Sequence, residues 1–144
     1  MSCVHLSKVY EISKGDYTRA GEASADIKRA LRQLGVQADI LRRVAVASYE
    51  AEMNIVIHSL GGQLSLEVSR DAITLCTQDS GPGIADIPSA MRAGFSTADE
   101  QARDLGFGAG MGLPNMKRNA DSFQIESQLG HGTYIRMAFR LHTV

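Results

Sequence analysis

Glu50, Asn54 and His58 stand four residues apart in succession, which on a helix lines a carboxylate, an amide and an imidazole along one face. Around them Val44, Val46, Ala47, Ala51, Ile55, Val56 and Ile57 are apolar. A carboxylate and an amide in such a helix are costly to bury without partners. An Asn carbonyl near a carboxylate suits magnesium, which takes oxygen ligands and usually keeps waters and substrate phosphates. A carboxylate one turn away can also orient or deprotonate a nucleophile. Glu52 points to another side of the helix and is expected to be a solvated charge.

A second group is built on glycine. It opens with Asp79-Ser80-Gly81-Pro82-Gly83 and closes with Gly106-Phe107-Gly108-Ala109-Gly110-Met111-Gly112-Leu113. Seven of the chain's 14 glycines fall between Gly81 and Gly112. Glycine loses more freedom on folding than any other residue, so the clustering marks backbone that must approach something closely. Glycine turns running into a helix N-terminus hold phosphate through free N–H groups and the helix dipole. Two familiar phosphate loops are excluded: no glycine precedes a Lys-Ser or Lys-Thr pair, and neither cluster runs GxGxxG.

The elements that position these groups follow from periodicity. Residues 3–12 alternate as a half-buried strand. Ser13 to Asp16 break it, and Asp16 or a neighbour can cap a helix from Tyr17 to Leu34, closed by Gly35. A more apolar helix from Ala38 to Leu60 is expected to lie against a sheet, with Gly61-Gly62 ending it. Gln63–Ser69 and Ala72–Thr77 read as a hairpin turning at Arg70-Asp71, and the second strand runs into Asp79. Asp86–Ala93 reads as a short helix, residues 94–105 as irregular, and Leu113–Ala120 as a helix with Pro114 in its first turn. Phe123–Ser127 and Thr133–Leu141 close a last hairpin. The sum is an α+β two-layer sandwich, with helices on one face of a mostly antiparallel sheet.

Composition bounds the function. The 144 residues suit one domain, with 44% hydrophobic content and a net charge of −1. The absence of a basic block disfavours nucleic acid as a partner. No apolar run approaches a membrane span and no signal-peptide pattern opens the chain, so a cytoplasmic protein is expected. Cys3 and Cys76 lack metal-ligand spacing, and Cys76 in its apolar run reads as a buried thiol. His5, His131 and His142 have no partner pattern.

Taken together, Glu50-xxx-Asn54, Asp79-x-Gly81-x-Gly83, the run Gly106-x-Gly108-x-Gly110-x-Gly112 and Gly132-Thr133 resemble the gyrase/histidine-kinase type (GHKL) ATPase superfamily in order and spacing. Its nucleotide pocket is the Bergerat fold. The flanking text, in Ala90–Thr97 and Gly108–Arg118, resembles the bacterial anti-sigma and switch serine kinases. The resemblance implies that Asp79 accepts from the adenine amino group with Thr133 in support, and that Gly81 and Gly83 pass close to base and ribose. It implies that Gly108, Gly110 and Gly112 present backbone N–H groups to the phosphates, that Gly106, Met111 and Leu113 belong to the same nucleotide-binding run, with Met111 beneath a lid, and that this lid spans residues 84–105. It further implies that Asn54 ligates magnesium and that Glu50 acts as base toward a serine hydroxyl or water. Relatives often carry a phosphate-touching basic residue at the position of His58; for His58 and Arg103 a ligand role and a bystander role both stay open.

ATP and Mg2+ are thus the expected cofactors. The expected partner is a protein, either an anti-sigma antagonist-like substrate or a sigma factor, and a homodimer is possible. A serine/threonine protein kinase is the leading expectation, because a pure binder needs no base. The alternative is a non-catalytic ATP-dependent module that sequesters its partner.

Overall fold

The computed structural model describes residues 4–92 and 112–141. These form five strands, β1 Val4–Ile12, β2 Gly62–Ser69, β3 Ala72–Asp79, β4 Ser122–Gln128 and β5 Gly132–Arg140. The helices are α1 Glu22–Gln33, α2 Ala38–His58, the single turn α3 Ile87–Ala90 and α4 Gly112–Asn119. The strands make one sheet in the order β1-β2-β3-β5-β4, every pair antiparallel. This is the expected α+β architecture. Among the described residues no helix is long and apolar enough to cross a membrane.

Period-2 alternation decides which face of the sheet is covered. Leu64, Leu66 and Val68 of β2, Ile73 and Leu75 of β3, and Ile135, Met137 and Phe139 of β5 are all buried. Onto them α1 brings Ile27 and Leu31, α2 brings Ile40, Val44, Ala47, Ala51 and Ile55, and α4 brings Leu113 and Met116. The central helix α2 packs against both α1 and α4 as well as the sheet. That explains why its apolar residues are spread so widely around the axis.

Three expectations are corrected. First, α1 begins at Glu22 rather than Tyr17, because Gly21 at φ +99° breaks the helical path. Asp16 caps only a preceding turn, its carboxylate accepting from the Arg19 N–H at 3.3 Å. The helix ends at Gln33, with Leu34 as its C-cap and 48% exposed. Second, Cys76 is half-buried, and its Sγ lies 3.6 Å from the Tyr134 hydroxyl.

Third, Glu52 is no solvated charge: it is 3% exposed. Its Oε2 accepts from the N–H groups of Gly21 at 3.0 Å and Ala23 at 3.2 Å, and its Oε1 from Ser24 at 2.9 Å. α1 has no side-chain cap of its own, and a helix start leaves N–H groups without intrahelical acceptors. A carboxylate from α2 supplies those acceptors where the dipole favours negative charge. Glu52→Ala is therefore expected to cost about 3 kcal/mol, because buried donors lose charged partners. Urea unfolding measures it; a loss below about 0.5 kcal/mol would return Glu52 to the surface-charge class.

Candidate functional site

The buried row of β3 runs Ile73, Leu75, Thr77, Asp79, so its apolar face ends in a carboxylate where the chain leaves the sheet. Pairing of Gln78 with Tyr134 brings Thr133 alongside. The Thr133 N–H donates to Asp79 Oδ1 at 2.9 Å. No donor among the described residues reaches Oδ2. Burial pushes the Asp79 carboxyl above its ordinary range, and the Thr133 N–H opposes that shift. A buried carboxylate with one oxygen engaged keeps an acceptor for the amino group of a ligand.

Glycines flank Asp79 on both sides for a steric reason. A Cβ on Gly62 would lie 2.5 Å from the Gln78 carbonyl oxygen, and one on Gly132 would overlap the Asp79 carbonyl oxygen. The loop beyond Asp79 is pinned at both ends. The Leu60 N–H donates to the Ser80 carbonyl at 2.7 Å, and the Ser80 N–H donates to that of Gly61 at 3.0 Å. The Ile84 N–H donates to Ser127 Oγ at 2.7 Å. Ser127 Oγ lies 2.9 Å from Thr133 Oγ1 and 3.1 Å from the Gly132 carbonyl. At Gly83, φ is +74° and a Cβ would come within 2.6 Å of the Gln128 carbonyl oxygen. The chain's own backbone thus already demands this glycine. A cleft of about 480 Å³ opens beside the loop, lined by Lys14, Ile57, His58, Leu60, Gly81 and Pro82.

At the other end of the α2 face, Glu50 meets α4. The Asn115 Nδ2 donates to Glu50 Oε1 at 3.3 Å, and Oε2 lies 3.4 Å from where a Gly112 Cβ would stand. Asn54 is half-buried one turn along. Leu113 is buried in the core, so what it can offer a ligand is its backbone N–H, which helix geometry leaves without an intrahelical acceptor. Pro114 has no N–H to offer. Among the described residues no three His, Cys, Asp or Glu side chains group as a metal cage. The side-chain oxygen of Asn54 is of the kind magnesium takes when phosphate and water supply its other ligands.

The structure therefore joins Asp79 to Thr133, His58 to the first glycine loop, and Glu50 to Gly112. Gly106, Gly108, Gly110, Met111 and Arg103 lie outside the described residues, as does the expected lid from residue 93 onward. Sequence reasoning missed Gly62, Ser127 and Asn115. Ser127 was within reach, since the last hairpin's turn pairs it with Thr133. Asn115 was not: it is 65 residues from Glu50, and no local pattern links them.

A family model described as the histidine kinase-like ATPase domain matches residues 14–139. The serine/threonine-protein kinase RsbT of Bacillus subtilis is 33% identical over 113 residues, covering 76% of this chain and 79% of the relative. The anti-sigma F factor of Thermoanaerobacter sp. is 33% identical over 110 residues, 73% of each protein. That of Caldanaerobacter subterraneus is 32% identical over the same length and coverage.

Proposed function

This chain belongs to the histidine kinase-like ATPase family, and from that premise we propose that it transfers phosphate from ATP to a serine or threonine of a partner regulatory protein. One observation carries the reading. A single face of α2 is docked at both ends, His58 beside the Asp79 loop and Glu50 against the start of α4. Two helical turns, about 12 Å, separate those ends, so base recognition and phosphate chemistry can be served from one rigid element. In this reading Asp79 receives the adenine amino group, and the N–H groups opening α4 face the phosphates. Asn54 would hold magnesium, which when bound neutralises charge on the phosphates. Glu50 would accept the proton of the attacking hydroxyl. The partner is a protein of an anti-sigma circuit, as the relatives' names suggest, and its setting the cytoplasm.

A second reading, ATP-dependent sequestration of a sigma factor without transfer, draws support from the relatives named anti-sigma F factors. Binding alone leaves Glu50 unexplained. Both readings need Asp79, so its replacement tests what they share. In Asp79→Asn the amide oxygen still accepts from Thr133 N–H, but an NH2 group replaces the second acceptor. Donor would then face donor, and ATP affinity is expected to fall about 10²- to 10³-fold.

Folding should not suffer. A carboxyl whose pKa is raised in the folded state adds most stability below its ordinary pKa and loses it as pH rises through the raised value. Asparagine carries no such charge, so at pH 7 the variant should be at least as stable as the parent. Isothermal titration with Mg-ATP decides: parent-like affinity in the variant would refute adenine recognition at Asp79.

A further inference from the structure

The side chain of Asn115 is held from two sides in a way only one amide orientation satisfies. Its Nδ2 donates to Glu50 Oε1 at 3.3 Å, while its Oδ1 accepts from the Arg118 guanidinium one turn later in α4. A carboxylate can only accept and a guanidinium can only donate, so a flipped amide would lose both bonds. The backbone beneath is fixed too, because the Asn115 carbonyl accepts from Asn119 Nδ2 at 2.8 Å. The two carboxylate oxygens of Glu50 are consequently unequal. Oε1 is tied to α4, whereas Oε2 has no donor among the described residues and lies at the entrance of α4, 3.4 Å from the Cβ position of Gly112.

We propose that Asn115 is a positioning residue for Glu50: its amide, oriented by Arg118, fixes the carboxylate so that Oε2 is the oxygen presented to the attacking hydroxyl. The inference rests on the reading of Glu50 as the base. A glutamate on a helix surface otherwise samples several rotamers, and a base displaced by an ångström loses much of its effect. Asn115 supplies the restraint without a charge, so it does not neutralise the carboxylate as a lysine would. Arg118 stays one bond removed, polarising the amide and strengthening its donor.

Turnover of Mg-ATP with water as acceptor, followed by phosphate release, tests this in a four-protein cycle of parent, Asn115→Ala, Glu50→Gln and the double variant. Asn115→Ala is expected to lower kcat about tenfold and leave KM for ATP within about twofold. The double variant should be no slower than Glu50→Gln alone, because a residue acting only through Glu50 has nothing left to position. Multiplying losses, or a parent-like kcat in Asn115→Ala beside an impaired Glu50→Gln, would overturn the positioning role. Parent-like kcat in Glu50→Gln instead removes the base, and with it both the reading and the inference. The contact also has a readout that needs no turnover. The Asn115 side-chain amide signal in a 15N–1H spectrum should move in Glu50→Ala and stay fixed in Glu22→Ala; a signal indifferent to Glu50 would refute the restraint.

Discussion

Glu50→Gln is expected to slow phosphoryl transfer about 10²- to 10⁴-fold while leaving ATP binding intact. That range is what a positioned general base contributes, and it corresponds to about 2.7–5.5 kcal/mol of barrier. Phosphoryl transfer passes through a loose transition state in which the nucleophile's proton is lost late, so the lower part of the range is favoured. Glutamine keeps the size of the side chain and an oxygen for the Asn115 amide, so the junction of α2 and α4 should hold. Removing a negative charge from beside a triphosphate also lessens repulsion, and ATP affinity should stay level or rise slightly. A kcat loss with unchanged or lower KM is therefore expected. Labelled ATP, the parent protein's own partner and the variant side by side provide the measurement. Transfer at the parental rate would leave Glu50 a structural residue and refute its role as base, whereas no transfer by the parent itself would favour the sequestering module.

The fold was legible wherever one local rule dominated. Strict alternation in Gln63–Ser69 and Ala72–Thr77 fixed a hairpin, and the structure extends it only to Gly62 and Asp79. Repeats of three and four brought out α1, α2 and α4, with boundaries displaced where a single backbone conformation intervened, as at Gly21. What periodicity could not convey was which polar residues of α2 find partners across the fold. Glu50 and Glu52 look alike in the sequence, two carboxylates on a mostly apolar helix. One meets the N–H groups at the start of α1, about 30 positions earlier in the chain; the other meets Asn115, 65 positions later. Those pairings exist only because α2 lies between α1 and α4.

The same limit applies to the site. Asp79 could be singled out because it sits at the end of an alternating strand and opens a glycine turn. The reasons for its glycines could not. Gly81 and Gly83 were expected to make room for a ligand, yet Gly83 is required by the carbonyl of Gln128, and a Cβ on Gly81 would lie 3.2 Å from the Leu60 nitrogen. Glycine in such a motif therefore first serves the close packing of three backbone segments around one carboxylate. A ligand's approach to that carboxylate then depends on the packing.

Gly132 puts that dependence to its hardest test. Its φ of +132° disfavours any side chain, and a Cβ there would overlap the carbonyl oxygen of Asp79. The obstacle is backbone, so no rotamer change relieves it. The start of β5 would have to move away from β3, and that motion pulls the Thr133 N–H off Asp79 Oδ1. Gly132→Ala is expected to cost about 4 kcal/mol, the sum of a backbone strain of about 1–3 kcal/mol and the steric displacement. That loss lowers Tm by about 12 °C in a domain of this size. The folded fraction should also bind ATP more weakly, because Asp79 loses its orienting donor. Gly130 in the same turn separates the two causes. It too has positive φ, at +79°, but nothing lies within 4 Å of its Cβ position. Gly130→Ala therefore carries strain alone, about 1 kcal/mol. Calorimetric scans of the two variants would be compared directly. If they melt together, the close approach at Asp79 is not what demands glycine; if Gly132→Ala alone drops steeply and loses ATP affinity, the carboxylate's position is set by the turn behind it.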